Sequence, residues 1–358
     1  EEHLPPWHFY QPTLYVSSGD WEDHCDTLRR AVRDVSRQNS NARRRAKQLV
    51  KSTRAPLDRM RIVRDDVLRN IRPVGASFLD LPVTQLSTPD RTLTDQYGHP
   101  ADRAILLAEM LDAVGFDPEI ILASNDTTGY ERFSRPQRDI PQLNHFNFPL
   151  VAVRHKGTTY YLNGGDQYDD LGVTVLDKAP ALTLRGKPVT VTAPEEMRDR
   201  HHNEWLICLT DSGDAQITVT NWFYGTTAGI FRKQYKEMLP EDRRRHHLDL
   251  VNAISKSAEA VSELVTETET YPTYRTFTIN ARKYAAVTNG VLRLSIPDVT
   301  AAVFPLRADR REQPLFLRGS APDTLECRIL LPPGYTRLAL TPESRVWELP
   351  NGLGSLSY

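Results

Sequence analysis

Few residues in this chain have the types and spacing that chemistry needs. His99 and Asp102 stand three apart, with Tyr97 just before them; His145 and Asp166 follow further along. Together they could line a polar pocket, the imidazoles moving protons and the carboxylates orienting them. The three cysteines, Cys25, Cys208 and Cys327, are far apart, and none belongs to a C-x-x-C pair. They read as small apolar fillers, with no zinc site and no required disulfide. His201-His202 and His246-His247 are adjacent pairs whose side chains diverge on a strand or helix, so no metal is expected. There is no P-loop, dinucleotide-binding glycine pattern or H-E-x-x-H, and no cofactor is expected.

The element that must position His99 and Asp102 is the stretch from Tyr97 to Gly115. Pro100 suits a first helical turn, where its missing N–H costs nothing. Ala104, Leu107, Met110, Leu111 and Val114 recur at the spacing of one helix face. Ile105 and Leu106 widen that face, which predicts a core helix, and Gly115 suits its C′ position. Glu119–Leu122 then reads as a buried strand, and Phe148–Val153 and Thr158–Leu162 as a hairpin about a turn at residues 154–157.

At 358 residues the chain is long enough for about two domains. Its net charge of −1 gives no bulk attraction to nucleic acid or membrane, and no apolar run approaches the roughly 18 residues of a membrane span. Thirteen Arg or Lys against two Asp lie between Leu28 and Arg64, but no nucleic-acid-binding motif accompanies them, so they read as solvated helix faces. The chain opens Glu1-Glu2-His3 without methionine, and we expect it to be part of a longer polypeptide.

Helices are predicted over Trp21–Ser36 with Asp20 as N-cap, over Asn41–Ser52 and over Pro56–Ile71. Residues 1–18 read as an extended lead-in. Residues 73–95 and 124–142 read as long polar loops flanking a cleft. From about residue 195 the pattern turns to strands at Trp205–Leu209, Ala215–Phe223, Arg275–Asn280 and Val291–Ile296. Helical stretches intervene at Thr227–Met238 and Glu241–Ser255. Further apolar stretches at Gln313–Leu317 and Leu325–Leu331 precede a Pro332-Pro333-Gly334-Tyr335 turn. The layout predicts an antiparallel β domain with a helical insertion.

Tyr97, Gly98, Asp102, Ala104, Leu106, Leu107 and Leu111, with Arg103 in place of a lysine, resemble the central motif of the bacterial transglutaminase-like superfamily. Asn70-Ile71-Arg72 resembles a segment preceding that motif. Phe146-Asn147-Phe148, Leu150–Val153 and Tyr160-Tyr161-Leu162-Asn163 are similar to its following hairpin. The Leu-Pro-Pro-Gly-Tyr ending is similar to the C-terminal domain of large secreted bacterial proteins with this motif.

The resemblance implies an α+β fold: a transglutaminase-like, papain-like domain over 1–194, then a β-rich, sandwich-like domain with a helical insertion over 195–358. It places the nucleophile's position on Pro100, the base histidine's on Phe148 and the orienting aspartate's on Asn163. Cysteine acyl transfer needs a thiolate, an imidazole and a group that orients it. Pro100 and Phe148 supply neither of the first two, so the triad is degenerate and no catalytic residue is expected.

The resemblance therefore implies a pseudoenzyme: a binding or scaffolding module for peptide or glycan in a periplasmic, secreted or cell-envelope protein. The alternative is a hydrolase of peptide or glycan bonds with a relocated site in the same cleft, built from Tyr97, His99, Asp102, His145 and Asp166.

Overall fold

The computed structural model describes residues 4, 11–17, 19–75, 85–124, 140, 145–295, 323–337, 346–348 and 355–357, and is mixed α+β. Its first part holds α1 (Trp21–Val35), α2 (Ser40–Leu49), α3 (Pro56–Asn70), β1 (Arg72–Pro73), α4 (Pro89–Asp95), β2 (Tyr97–Gly98) and α5 (Pro100–Ala113). After these come β3 (Pro118–Ala123), β4 (Phe148–His155), β5 (Thr158–Leu162), β6 (Pro180–Thr183) and β7 (Pro188–Thr190). Strands β3 to β7 form one antiparallel sheet in the order β5-β4-β3-β6-β7.

Local chemistry explains the helix ends. The Asp20 side chain accepts from the Asp23 N–H at 2.8 Å and caps α1. Gly115 ends α5 with φ +91°, which a glycine adopts without a Cβ penalty. The predicted loop over 73–95 is corrected at its end: Thr88 accepts from the Arg91 N–H and Pro89 opens α4. The remainder of that loop falls partly outside the described residues, as do most of the 124–142 loop, the 313–317 stretch and most of residues 1–10.

α5 is the organising element. Ala104, Leu107, Met110 and Leu111 share one apolar core with Met60, Val63 and Val67 of α3, Ala42 and Ala46 of α2, and Val151, Val153 and Leu162 of the sheet. The opposite sheet face carries Ile121, Ala123, Leu150 and Ala181, packed under Leu176 and Ala179 from the segment after the hairpin. At the rim, Cys25 and Leu28 of α1 meet Ala101, Leu122 and Phe146. Each buried side chain of Leu or Phe size contributes about 1.5–3 kcal/mol, so α5 could not leave this layer without unfolding it.

A second apolar core belongs to the later elements. These are β8 (His201–Leu209), β9 (Ala215–Phe223), α6 (Gly225–Glu237), α7 (Pro240–Ile254), β10 (Ala258–Ala260), β11 (Val265–Glu267) and β12 (Thr273–Ala281). The hairpin β13 (Ala286–Thr288) and β14 (Val291–Arg293) follows, then β15 (Asp323–Leu330) and the pair β16 (Val346–Glu348) and β17 (Ser355–Ser357). Their main sheet runs β10-β12-β9-β8-β15, with β11 also on β12.

Two expectations are corrected here. β15 pairs with β8 in parallel, so the sheet is mixed. Among the described residues the later elements also form one six-stranded sheet and two separate two-stranded pairs, and the large sheet packs on helices in place of a second large sheet. Its inner face, with Ile207, Ile217, Val219, Phe277 and Ile279, packs on Phe231 and Tyr235 of α6 and Val251 of α7.

The two parts are joined through the segment after the hairpin. Arg232 of α6 donates to the carbonyl oxygens of Tyr168 and Thr268 and to the Asp170 carboxylate. From the other side, Arg64 of α3 donates to the Asp169 carbonyl oxygen at 2.6 Å.

Candidate functional site

The N-terminus of α5 gathers most of the residues singled out above. Pro100 is the first helical residue and His99 the N-cap. The His99 Nδ1 accepts from the Ala101 N–H at 3.2 Å, while the Asp102 carboxylate accepts from the His99 N–H at 3.2 Å. This reciprocal box satisfies two N–H groups that a helix start otherwise leaves open. It also fixes the imidazole with its Nδ1 as acceptor. The second Asp102 oxygen accepts from the Ser87 N–H at 2.7 Å, tying in the segment before α4. His99 is 4% exposed and Asp102 5%, so both act inside the protein.

Asn163 closes the other side. It follows β5 with φ +73°, a conformation that asparagine tolerates better than most residues. Its Nδ2 donates to the carbonyl oxygens of Pro100 at 3.1 Å and Pro149 at 3.2 Å. The side chain is a bridge from the hairpin to the first residue of α5, and it is 7% exposed. Its Oδ1 is buried and has no hydrogen-bond partner among the described residues.

Phe148 is not brought to this place. Val151 and Val153 face α5, so alternation along β4 sends Phe148, Leu150 and Ala152 to the opposite face. The Phe148 ring packs there, beside Gly164. From β4, Pro149 contributes its carbonyl oxygen, which accepts from the Asn163 side chain. His145 lies in the turn before β4, since the strand begins at Phe148. Tyr97 on β2 pairs with Arg72 of β1 and is 48% exposed. Asp166 lies beyond Asn163 and pairs with Lys233 of α6 at 3.1 Å.

Two features escaped the sequence reading. Arg103, in the first turn of α5, carries a largely buried guanidinium. Burial lowers its pKa against the opposing pull of Asp166. Asp169, after the hairpin, has its carboxyl pKa raised, first by burial; the Asp166 N–H that it accepts at 2.7 Å and the Arg64 charge act the other way. The closely spaced acids Asp166, Asp169 and Asp170 were the only sequence signal for this joint.

Cys208 and Cys327 lie in the second part, while Cys25 packs against Ala101 near the start of α5. Cys25 is buried on the inner side of α1, and burial pushes its pKa up, as it does for Cys327. A raised pKa keeps a thiol protonated and a poor nucleophile. Among the described residues no cluster of His, Cys, Asp and Glu could hold a metal ion. No described helix is long and apolar enough to cross a membrane. Arg29, Arg37, Arg43, Arg45, Arg61 and Arg64 of the basic stretch pair with carboxylates.

No protein-family model matches the chain. No curated protein matches it. Among solved structures it is similar to one described as a "putative protease" from Parabacteroides distasonis, at 15% identity and a TM-score of 0.41. That similarity covers 79% of this chain and 57% of the other, so this chain spans less than two thirds of its neighbour's length. A likeness this distant leaves the functional reading to the chain's own residues.

Proposed function

We propose that the chain is a non-catalytic, transglutaminase-like protein serving as a binding or scaffolding module in a secreted or cell-envelope protein. On this reading a papain-like domain spans 1–194 and a β-rich domain 195–358, and the ligand is a peptide or a glycan. The observation that carries the reading is the bridge from Asn163 to Pro100. A nucleophile's place at the start of α5 holds a side chain with no nucleophilic atom. The group that would orient a base instead donates to two backbone carbonyls. The neighbouring polar groups are engaged as well: His99 and Asp102 cap the helix, and Asp166 pairs with Lys233.

Native chain exposed to iodoacetamide and, separately, to a fluorophosphonate tests this by intact mass. No rapid stoichiometric labelling at one residue is the expected result. Fast single-site labelling that denaturation abolishes would replace this reading with the relocated hydrolase.

A further inference from the structure

Among the described residues, the face of the first sheet that points away from α5 is covered over only part of its area. Toward Leu150, Ile121 and Ala181 it lies under Leu176 and Ala179. Toward the other end it opens into a cavity of about 700 Å3, floored by Ile121 and Ala152. That volume is within the range of small-ligand sites, roughly 300–1,000 Å3. Its rim carries exposed charges of both signs, Arg154, Arg185 and Lys187 together with Asp117 and Glu119.

The register explains how these charges come together. Glu119 stands opposite Ala152, and Ala152 opposite Tyr161. Ile121 stands opposite Thr183, the last residue of β6, and Arg185 lies in the turn that follows. Same-face neighbours on paired strands have Cβ atoms only about 4.5–5.5 Å apart, within easy reach of long side chains. Yet among the described residues none of the five charges forms an ion pair or a side-chain hydrogen bond. Elsewhere the same residue types do pair, as Arg45 does with Asp66 and Arg232 with Asp170.

The cationic side is held in place from beneath. Thr183 Oγ1 accepts from the N–H groups of both Arg185 and Lys187. Gly186 between them has φ +74° and sits against the backbone of Glu22 in α1, where a Cβ would be 3.2 Å from the Glu22 Cα.

We infer that this cavity binds a short peptide through its free termini, the carboxylate at Arg185 and Lys187 in the turn between β6 and β7 and the ammonium at Asp117 and Glu119 beside β3. Charges of both signs, unpaired within the cavity, complement a zwitterion better than a simple anion or an uncharged sugar. Charge-assisted hydrogen bonds to the termini supply the affinity, and the Tyr161 ring lines the space between. This deepens the binding-module reading and places its ligand on the sheet, away from the start of α5.

The test is calorimetric titration of the whole chain with trialanine, N-acetyl-trialanine, trialanine amide, inorganic phosphate and maltotriose. Trialanine is expected to bind saturably, and each blocked peptide to bind at least about tenfold more weakly, as expected for losing one charge-assisted contact. Glu119→Gln and Arg185→Gln, checked for folding by circular dichroism, are expected to weaken trialanine to a similar extent. Equal binding of N-acetyl-trialanine, or competition by phosphate alone, would reduce the site to an anion cradle and overturn the inference. So would binding of maltotriose in place of trialanine, or no saturable binding at all. Since no turnover is read, such a failure leaves the non-catalytic reading standing. Turnover found with peptide binding intact would remove that reading and leave this site.

Discussion

The side-chain amide of Asn163 and the carbonyl oxygen of Pro100 lie 3.1 Å apart, and the same amide reaches Pro149 at 3.2 Å. One side chain after the hairpin therefore fastens both the start of the central helix and the neighbouring strand. Both carbonyls face a buried position, where an unmet acceptor costs about 1–3 kcal/mol.

Asn163→Ala is accordingly expected to destabilise the protein by about 2–4 kcal/mol, from two lost donors and a left-handed backbone that alanine disfavours. Asn163→Asp should be worse at neutral pH, because a carboxylate would face two carbonyl oxygens. Its folded-state pKa would be raised, so that variant should regain stability as pH falls through that pKa and the protonated carboxyl donates one bond. Thermal melts of both variants at pH 4.5 and pH 7.5 check this. A melting point for Asn163→Asp that does not rise toward acid would argue against the bridge.

Installing together the residues that the resemblance implies, as Pro100→Cys, Phe148→His and Asn163→Asp, should yield no enzyme. Phe148 is on the sheet face opposite α5, so a histidine there could not reach a thiol at residue 100. It would also replace a large apolar ring beside Leu150 and Gly164 with a polar one. The expected outcome is a less stable protein with no turnover of acyl or amide substrates. Robust turnover at unchanged stability would contradict the strand register described here.

Gly229 of α6 is expected to resist the usual gain from alanine. In an ordinary helix interior, Gly→Ala stabilises by about 1 kcal/mol. Here a Cβ would overlap the Asp169 Oδ1 and come within 3.3 Å of the Asp169 Cα. Gly229→Ala should lower the melting temperature, and Asp169→Ala in the same chain should recover part of the loss. A double-mutant cycle with no coupling would show that the two parts do not meet at this point.

Asp169 also predicts a pH dependence. Its carboxyl is raised above the ordinary value of 3.8, chiefly by burial. The folded state then holds its proton more tightly than the unfolded state. This group's contribution to stability is largest below 3.8 and is lost as pH rises through the raised value. Asp169→Asn should flatten the stability curve across that window and leave the melting point at neutral pH unchanged or higher. Denaturant unfolding from pH 3 to 7 reads the difference in slope. An identical slope in the variant would contradict the assignment.

How far the sequence could be read followed from what kind of contact decides each feature. α1 and α5 were legible because their apolar spacing, Asp20 and Gly115 are local signals. α4 was missed because its Thr and Asp content looks like loop, although Thr88-Pro89 is a helix-start pair. The parallel docking of β15 on β8 depends on partners more than a hundred residues apart, which no local pattern encodes. At the site, Asn163 was singled out only through the family resemblance, and its bridge to two backbone carbonyls was not legible. The facing of Phe148 was not legible either. Phe148-Pro149-Leu150-Val151-Ala152-Val153 is apolar throughout, and a strand buried on both faces carries no alternation to show which side meets the helix.

The central claim, that the start of α5 is a sealed helix cap and no longer a reaction centre, is tested most directly by a search for products. The native chain and an Asp102→Asn variant would each be incubated with a peptide library and an oligosaccharide panel, and new masses compared with protein-free controls. The account predicts no cleavage or transfer product from either protein. A product made by the native chain and lost in Asp102→Asn, with the variant still folded, would contradict it.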